Sequence, residues 1–166
     1  MKNRMCLVTA LVMASVVLSW AGLSAADMRA GTWTLNIAQS KFSPGPAPKG
    51  PNTQKIETVE NGSKLVADGV NAQGQKTHNE YMVKFDGKDY PMHATVDGKP
   101  NPDAADTVTA KKIDDHTYEF TNKRHGTVVT TIKEVISTDG KTRTATITGT
   151  NAQGQAVNTT VVYEKQ

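Results

Sequence analysis

Cysteine is nearly absent from this 166-residue chain: the one thiol, Cys6, lies in the N-terminal apolar run, so no disulfide framework can staple the remaining residues. Leucine is scarce as well. Beyond residue 26 only Leu35 and Leu65 remain, and valine, isoleucine and about twenty threonines carry the rest. β-Branched side chains lose rotamer freedom in helices and fit a pleated, half-buried surface, so this composition predicts sheet. No segment after the leader has helical periodicity, so the glycine-rich phosphate loop that opens a helix has nothing to open. Basic residues form no cluster larger than a doublet such as Lys123-Arg124, too little for the positive groove that phosphate recognition needs, and nucleic acid is not an expected partner.

What the N-terminus does have is a secretory pattern. Lys2 and Arg4 precede an apolar run from Cys6 to Leu23, closed by the small residues Ser24, Ala25 and Ala26. The run is near the length of a membrane span, which makes a retained anchor the alternative. The Ser24-x-Ala26 ending suits a signal peptidase, and no basic stop-transfer cluster comes after it. The expectation is a cleaved signal over residues 1–26, an exported protein of the periplasm or medium, and no span thereafter. Cys6 opens the apolar run and lacks the context of a lipid-anchor site. Losing Lys2 and Arg4 leaves 17 basic against 16 acidic residues, so most of the apparent basicity belongs to the leader.

Residues 27–166 read as one domain of short alternating segments separated by turns. The expected strands are Thr32–Ile37, Lys55–Glu60, Lys64–Val70, Thr77–Phe85, Asp89–Thr95, Thr107–Ile113, Thr117–Asn122, Thr127–Ser137, Lys141–Thr150 and Ala156–Lys165. Trp33, Leu35 and Ile37 share a face of the first, and Tyr81, Val83 and Phe85 a face of the fourth. Tyr118 and Phe120 point inward. In Lys141–Thr150 a single-face ladder, Thr142 to Thr150, opposes Arg143, Ala145 and Ile147. Asn61-Gly62, Asp86-Gly87 and Asp139-Gly140 supply turns. The fold class is all-β: an antiparallel up-and-down meander of about ten strands, whose edges are best protected by closing into a barrel.

Asn71-Ala72-Gln73-Gly74-Gln75 recurs as Asn151-Ala152-Gln153-Gly154-Gln155, read as one hairpin turn used twice in preference to a duplicated binding loop. Two segments interrupt the meander. Ser43–Thr53, with Pro44, Pro46, Pro48 and Pro51, is expected to be extended, exposed and free of ladder bonds, and Asp97–Asp106 to be a long crossover.

Gly31-Thr32-Trp33 resembles the G-x-W motif of lipocalin-like barrels, where the tryptophan closes one end. The longer string Gly31-Thr32-Trp33-x-Leu35-Asn36-x-Ala38-x-Ser40-Lys41-Phe42-x-Pro44-Gly45-Pro46 resembles the start of a group of uncharacterised exported bacterial proteins. Val162-Tyr163-Glu164-Lys165 is similar to the last strand of fatty-acid-binding proteins. That resemblance implies an arginine two residues before the tyrosine, where this chain has Val161, and a two-helix lid, where it has the proline loop. The lipocalin resemblance implies a late arginine over the tryptophan, and no arginine follows Arg143. Trp33–Phe42 also resembles, more weakly, the opening of exported polyisoprenoid-binding barrels.

Catalytic motifs are missing. His78, His93, His116 and His125 are scattered without metal-ligand spacing, no serine sits in a nucleophile elbow, and Asp114-Asp115 reads as a turn. The expectation is a non-enzymatic protein with no metal and no cofactor. A closed barrel must fill its interior with side chains, water or a ligand. The expected function is binding of a small apolar or amphipathic molecule in a cavity lined by Trp33, Tyr81, Phe85, Tyr118, Phe120, Arg143 and Tyr163, with Phe42, Met82 and Met92 as further fillers. Arg143 is the best candidate for a buried cation, but a strand-end arginine near the Asp139-Gly140 turn reaching water is the preferred reading. The alternative function is a structural or interaction protein of the periplasm or cell surface that has no small-molecule ligand.

Overall fold

A computed structural model describes residues 27–166; the expected leader, 1–26, and its cleavage point lie outside the described residues. A strand with one apolar face carries a row of backbone donors and acceptors along each edge, and antiparallel neighbours satisfy both rows while gathering the apolar faces together. The chain does this with eleven strands: β1 (Gly31–Lys41), β2 (Thr53–Val59), β3 (Gly62–Val70), β4 (Lys76–Lys84), β5 (Asp86–Val96), β6 (Lys99–Pro100), β7 (Thr107–Lys112), β8 (Thr117–Arg124), β9 (Thr127–Ile136), β10 (Thr142–Thr150) and β11 (Ala156–Lys165). Among the described residues there is no helix, and so none long and apolar enough to cross a membrane.

Ten of these strands form a closed antiparallel meander. Neighbours in sequence are neighbours in space, and the ring shuts where β1 meets β11, with Trp33 opposite Lys165 and Leu35 opposite Tyr163. β4 pairs β5 from Thr77–Val96 to Tyr81–Met92, which leaves the ring no open edge. β6 is the addition: Lys99–Pro100 folds back on β5 through the left-handed residues Asp97 and Gly98. The expected crossover over Asp97–Asp106 therefore begins as a tight hairpin.

Other expectations shift for local reasons. The β2–β3 turn is Glu60-Asn61, one residue earlier than expected, with Val59 opposite Gly62 and Asn61 at φ 55°. Gly62 already belongs to β3, where a Cβ would sit 1.9 Å from the Val83 carbonyl oxygen. Glycine is needed there for close approach rather than for turning. Ile37 does not continue the Trp33–Leu35 face. Between Asn36, opposite Val162, and Lys41, opposite Thr160, β1 bulges, and Ile37 is left exposed. The bulge is held by Ser40, whose hydroxyl donates to the Asn36 carbonyl at 2.6 Å and accepts from the Val162 amide at 3.0 Å.

The proline segment is largely exposed as expected, yet it is not free of backbone bonds. Lys49 N–H donates to the Asn71 carbonyl, and the Asn52 carbonyl accepts from Leu35 N–H. The repeated pentapeptide forms one turn twice. Asn71 Oδ1 accepts from the Gln73 and Gln75 amides at 3.0 and 2.9 Å, and Asn151 Oδ1 from Gln153 and Gln155 at the same two distances.

Inward-facing side chains pack in levels. The lower end, where the chain enters at Asp27, is filled by Trp33, Ile56, Val83, Tyr118, Phe120 and Ile136, all nearly inaccessible. The upper end, under the proline segment and the two pentapeptide turns, has the thinner lining of Leu35, Ala67, Met92 and Ile147, all partly buried. Met82 points outward, while the ladder threonines Thr146, Thr148 and Thr150 are exposed and Arg143 and Ala145 face in.

Candidate functional site

Three charges lie in the middle of the barrel. Arg29 and Arg143 are 0 % exposed and Glu134 5 %. Arg29 belongs to the turn that runs into β1 and is aimed inward because its amide donates to Asp27 Oδ1 and its carbonyl accepts Trp33 Nε1 at 2.7 Å. Glu134 and Arg143 project from adjacent strands, one register step apart on the inner faces of β9 and β10. The carboxylate is shared: Arg29 Nε donates to Oε2 at 2.8 Å and Arg143 Nη1 to Oε1 at 2.7 Å. Arg29 Nη1 also reaches Ser63 Oγ at 2.9 Å. Arg143 Nη2 donates to Gln54 Oε1, and Gln54 Nε2 donates to the Tyr163 hydroxyl at 2.8 Å.

The aromatic residues sheathe these charges. The Arg29 guanidinium lies 4.4 Å from the Phe120 ring centroid and 5.3 Å from Tyr118; that of Arg143 lies 4.4 Å from Tyr163 and 5.3 Å from Trp33. A ring face attracts a desolvated cation through its quadrupole, so each ring covers a charge and also stabilises it. Tyr81 packs on Phe120 at 6.3 Å between centroids and Phe85 on Tyr118 at 5.4 Å. Of the seven residues expected to line a cavity, Trp33, Tyr118, Phe120 and Tyr163 instead pack on the charges with Arg143 among them, and Tyr81 and Phe85 pack behind; Tyr163 alone lines the recess at the upper end, while Phe85 and Tyr118 border the cleft at the lower end. Arg143 is fully buried against Glu134, Gln54, Trp33 and Tyr163 rather than reaching water from the strand end.

Burial pushes the Glu134 carboxyl up, but the charges of Arg143 and Arg29 and their hydrogen bonds outweigh it and hold it below the ordinary carboxylate range. Burial raises the hydroxyls of Tyr81, Tyr118 and Tyr163, which stay protonated at neutral pH. A carboxyl depressed in the folded state contributes stability that is present above its unfolded value, about 4.3, and lost as pH falls through the folded one. Thermal melts from pH 7 downward should therefore stay flat to about pH 4 and then fall. Glu134→Gln, less stable at neutral pH, should show a shallower acid decline.

Sequence reasoning missed Arg29, Glu134 and Gln54. Glu134 had a readable signal, since it occupies the inward position between Ile132 and Ile136. Arg29 had none, because it precedes the first alternating segment.

Above this core the barrel opens. A recess of about 180 Å³ lies under the proline segment, with Leu35, Phe42, Pro48, Ala67 and Val161 as apolar walls. Its polar lining includes Gln54, Asn79 and Tyr163. A second cleft at the same end, about 300 Å³, lies among Met92, Asn122, Thr130 and Val157. The cleft at the lower end is larger, about 540 Å³, but its rim mixes Lys84 and Lys112 with Asp27 and Asp86, and the lysines already meet Glu60 and Asp115. Among the described residues, no three histidine, cysteine or carboxylate side chains converge as metal ligands.

Fold and site together define a closed ten-strand antiparallel barrel with a buried charged layer across its middle and clefts at both ends. No family model, curated protein or solved structure matches the chain.

Proposed function

We propose that this is a non-enzymatic, exported, lipocalin-like carrier that holds a small amphipathic molecule in the upper half of its barrel. The observation that carries the reading is the recess itself: the apolar side chains of Leu35, Phe42, Ala67 and Val161 share its lining with polar groups, of which Gln54 and Tyr163 are bonded to the buried charge network. Ligand sites of this kind combine a mostly apolar concavity with a few placed polar groups. The position of Trp33 at the closed end, beneath Arg143, supports the lipocalin-like assignment. Its modest volume favours a short molecule over a long-chain lipid.

The test fills the recess. Ala67 lines it from β3 with a single methyl group, so Ala67→Leu occupies space without removing any contact. An apolar, environment-sensitive dye should fluoresce with the folded wild-type protein and lose about tenfold in affinity with the variant, while the thermal midpoint moves little. A structural or interaction protein without a ligand gives no fluorescence with either.

A further inference from the structure

We infer that the molecule held in the upper recess is uncharged and carries a hydrogen-bonding carbonyl, amide or hydroxyl group, which Asn79 recognises; this rests on the carrier reading above. Asn79 faces the interior from β4, opposite Ala67 of β3 on one side and Ala94 of β5 on the other. Two single-methyl neighbours leave its amide room on both flanks. Among the described residues it makes no hydrogen bond to protein, although most of the polar side chains below it do. An amide in that setting offers one carbonyl acceptor and two N–H donors. The Tyr163 hydroxyl stands beside it in the same lining and accepts from Gln54 Nε2, so its own proton is free for an acceptor in the recess.

The charge of the recess argues in the same direction. No lysine, arginine or glutamate lines it. The two guanidiniums nearest the barrel axis are fully buried, each bonded to Glu134 and stacked on rings, so neither can be offered to a carboxylate. Asp68, the one carboxylate at the margin, is bonded to His78 at 2.8 Å. A ligand acid would enter the recess with no cation to meet it, and an amine would find only Asp68, already engaged by His78; a poorly compensated charge is far costlier to desolvate than a neutral polar group. A neutral acceptor meets Asn79 Nδ2 and the Tyr163 hydroxyl at no such cost.

Four eight-carbon probes that differ in head group test the inference: octan-2-one, octanamide, octanoate and octylammonium, each titrated into the protein while the asparagine side-chain amides are followed by NMR. The ketone and the amide should shift the Asn79 amide and bind at least about tenfold tighter than either ion. Asn79→Ala, which breaks no bond within the protein, should melt like the wild type and abolish that preference. Equal binding of all four probes in the recess overturns the head-group inference and leaves the carrier reading standing, as does octanoate binding tightest. Absence of any shift at Asn79, Ala67 or Val161 with all four probes overturns both.

Discussion

Glu134→Gln should cost the barrel about 3–5 kcal/mol of stability, the penalty for breaking a buried ion pair from one side. The carboxylate is the common bonded partner of the two guanidiniums; the one further anion acting on Arg29 is Asp27. A glutamine keeps one acceptor and turns an N–H₂ group toward the other arginine, so one buried cation loses its bond and both lose the charge. Folding free energies of domains this size are about 5–15 kcal/mol, so the variant should show a large drop in urea midpoint. Replacing the set together with the neighbouring carboxylate, Arg29→Met, Glu134→Leu and Arg143→Met with Asp27→Asn, should cost far less than the single change, because no buried charge of this layer is then left uncompensated. Equal losses in the single and quadruple variants would mean that packing, not charge pairing, holds this layer.

Trp33→Ala should cost about 3–5 kcal/mol by a different route. The indole is wholly buried at the lower end, and its Nε1 holds the Arg29 carbonyl, so removal opens a cavity and frees the turn that aims Arg29 inward. It also strips one face from the Arg143 guanidinium. Trp33→Phe separates these contributions. The ring is largely kept and the N–H is lost, so a cost of about 1 kcal/mol is expected from the hydrogen bond alone, read from urea unfolding curves. A Trp33→Ala variant as stable as wild type would mean that the tryptophan does not close the barrel.

The two variants probe layers that were unequally legible in the sequence. Alternation placed Trp33, Tyr118, Phe120 and Tyr163 inward and the structure buries all four, whereas Arg143, preferred as a strand-end arginine reaching water, is buried because Glu134 on the adjacent strand pairs with it. Periodicity reports which face a residue shares, and a barrel built from consecutive hairpins needs little more to define its topology. It does not report the partner. Glu134 sits at an inward position, yet a carboxylate there makes physical sense only beside Arg29, 105 residues away in sequence. Asn79 was unreadable for the same reason: the methyl groups that give its amide room come from β3 and β5. The turn at Glu60-Asn61 was displaced by one residue because Gly62 answers a steric demand from Val83 on the next strand, which local turn chemistry does not contain.

Carriage of a small molecule in the upper barrel is tested most directly by native mass spectrometry of the protein purified from the cells that make it, weighed before and after organic extraction. A carrier gives one additional mass per chain that extraction removes. A bare chain mass in both spectra, unchanged when octan-2-one is supplied in excess, contradicts it.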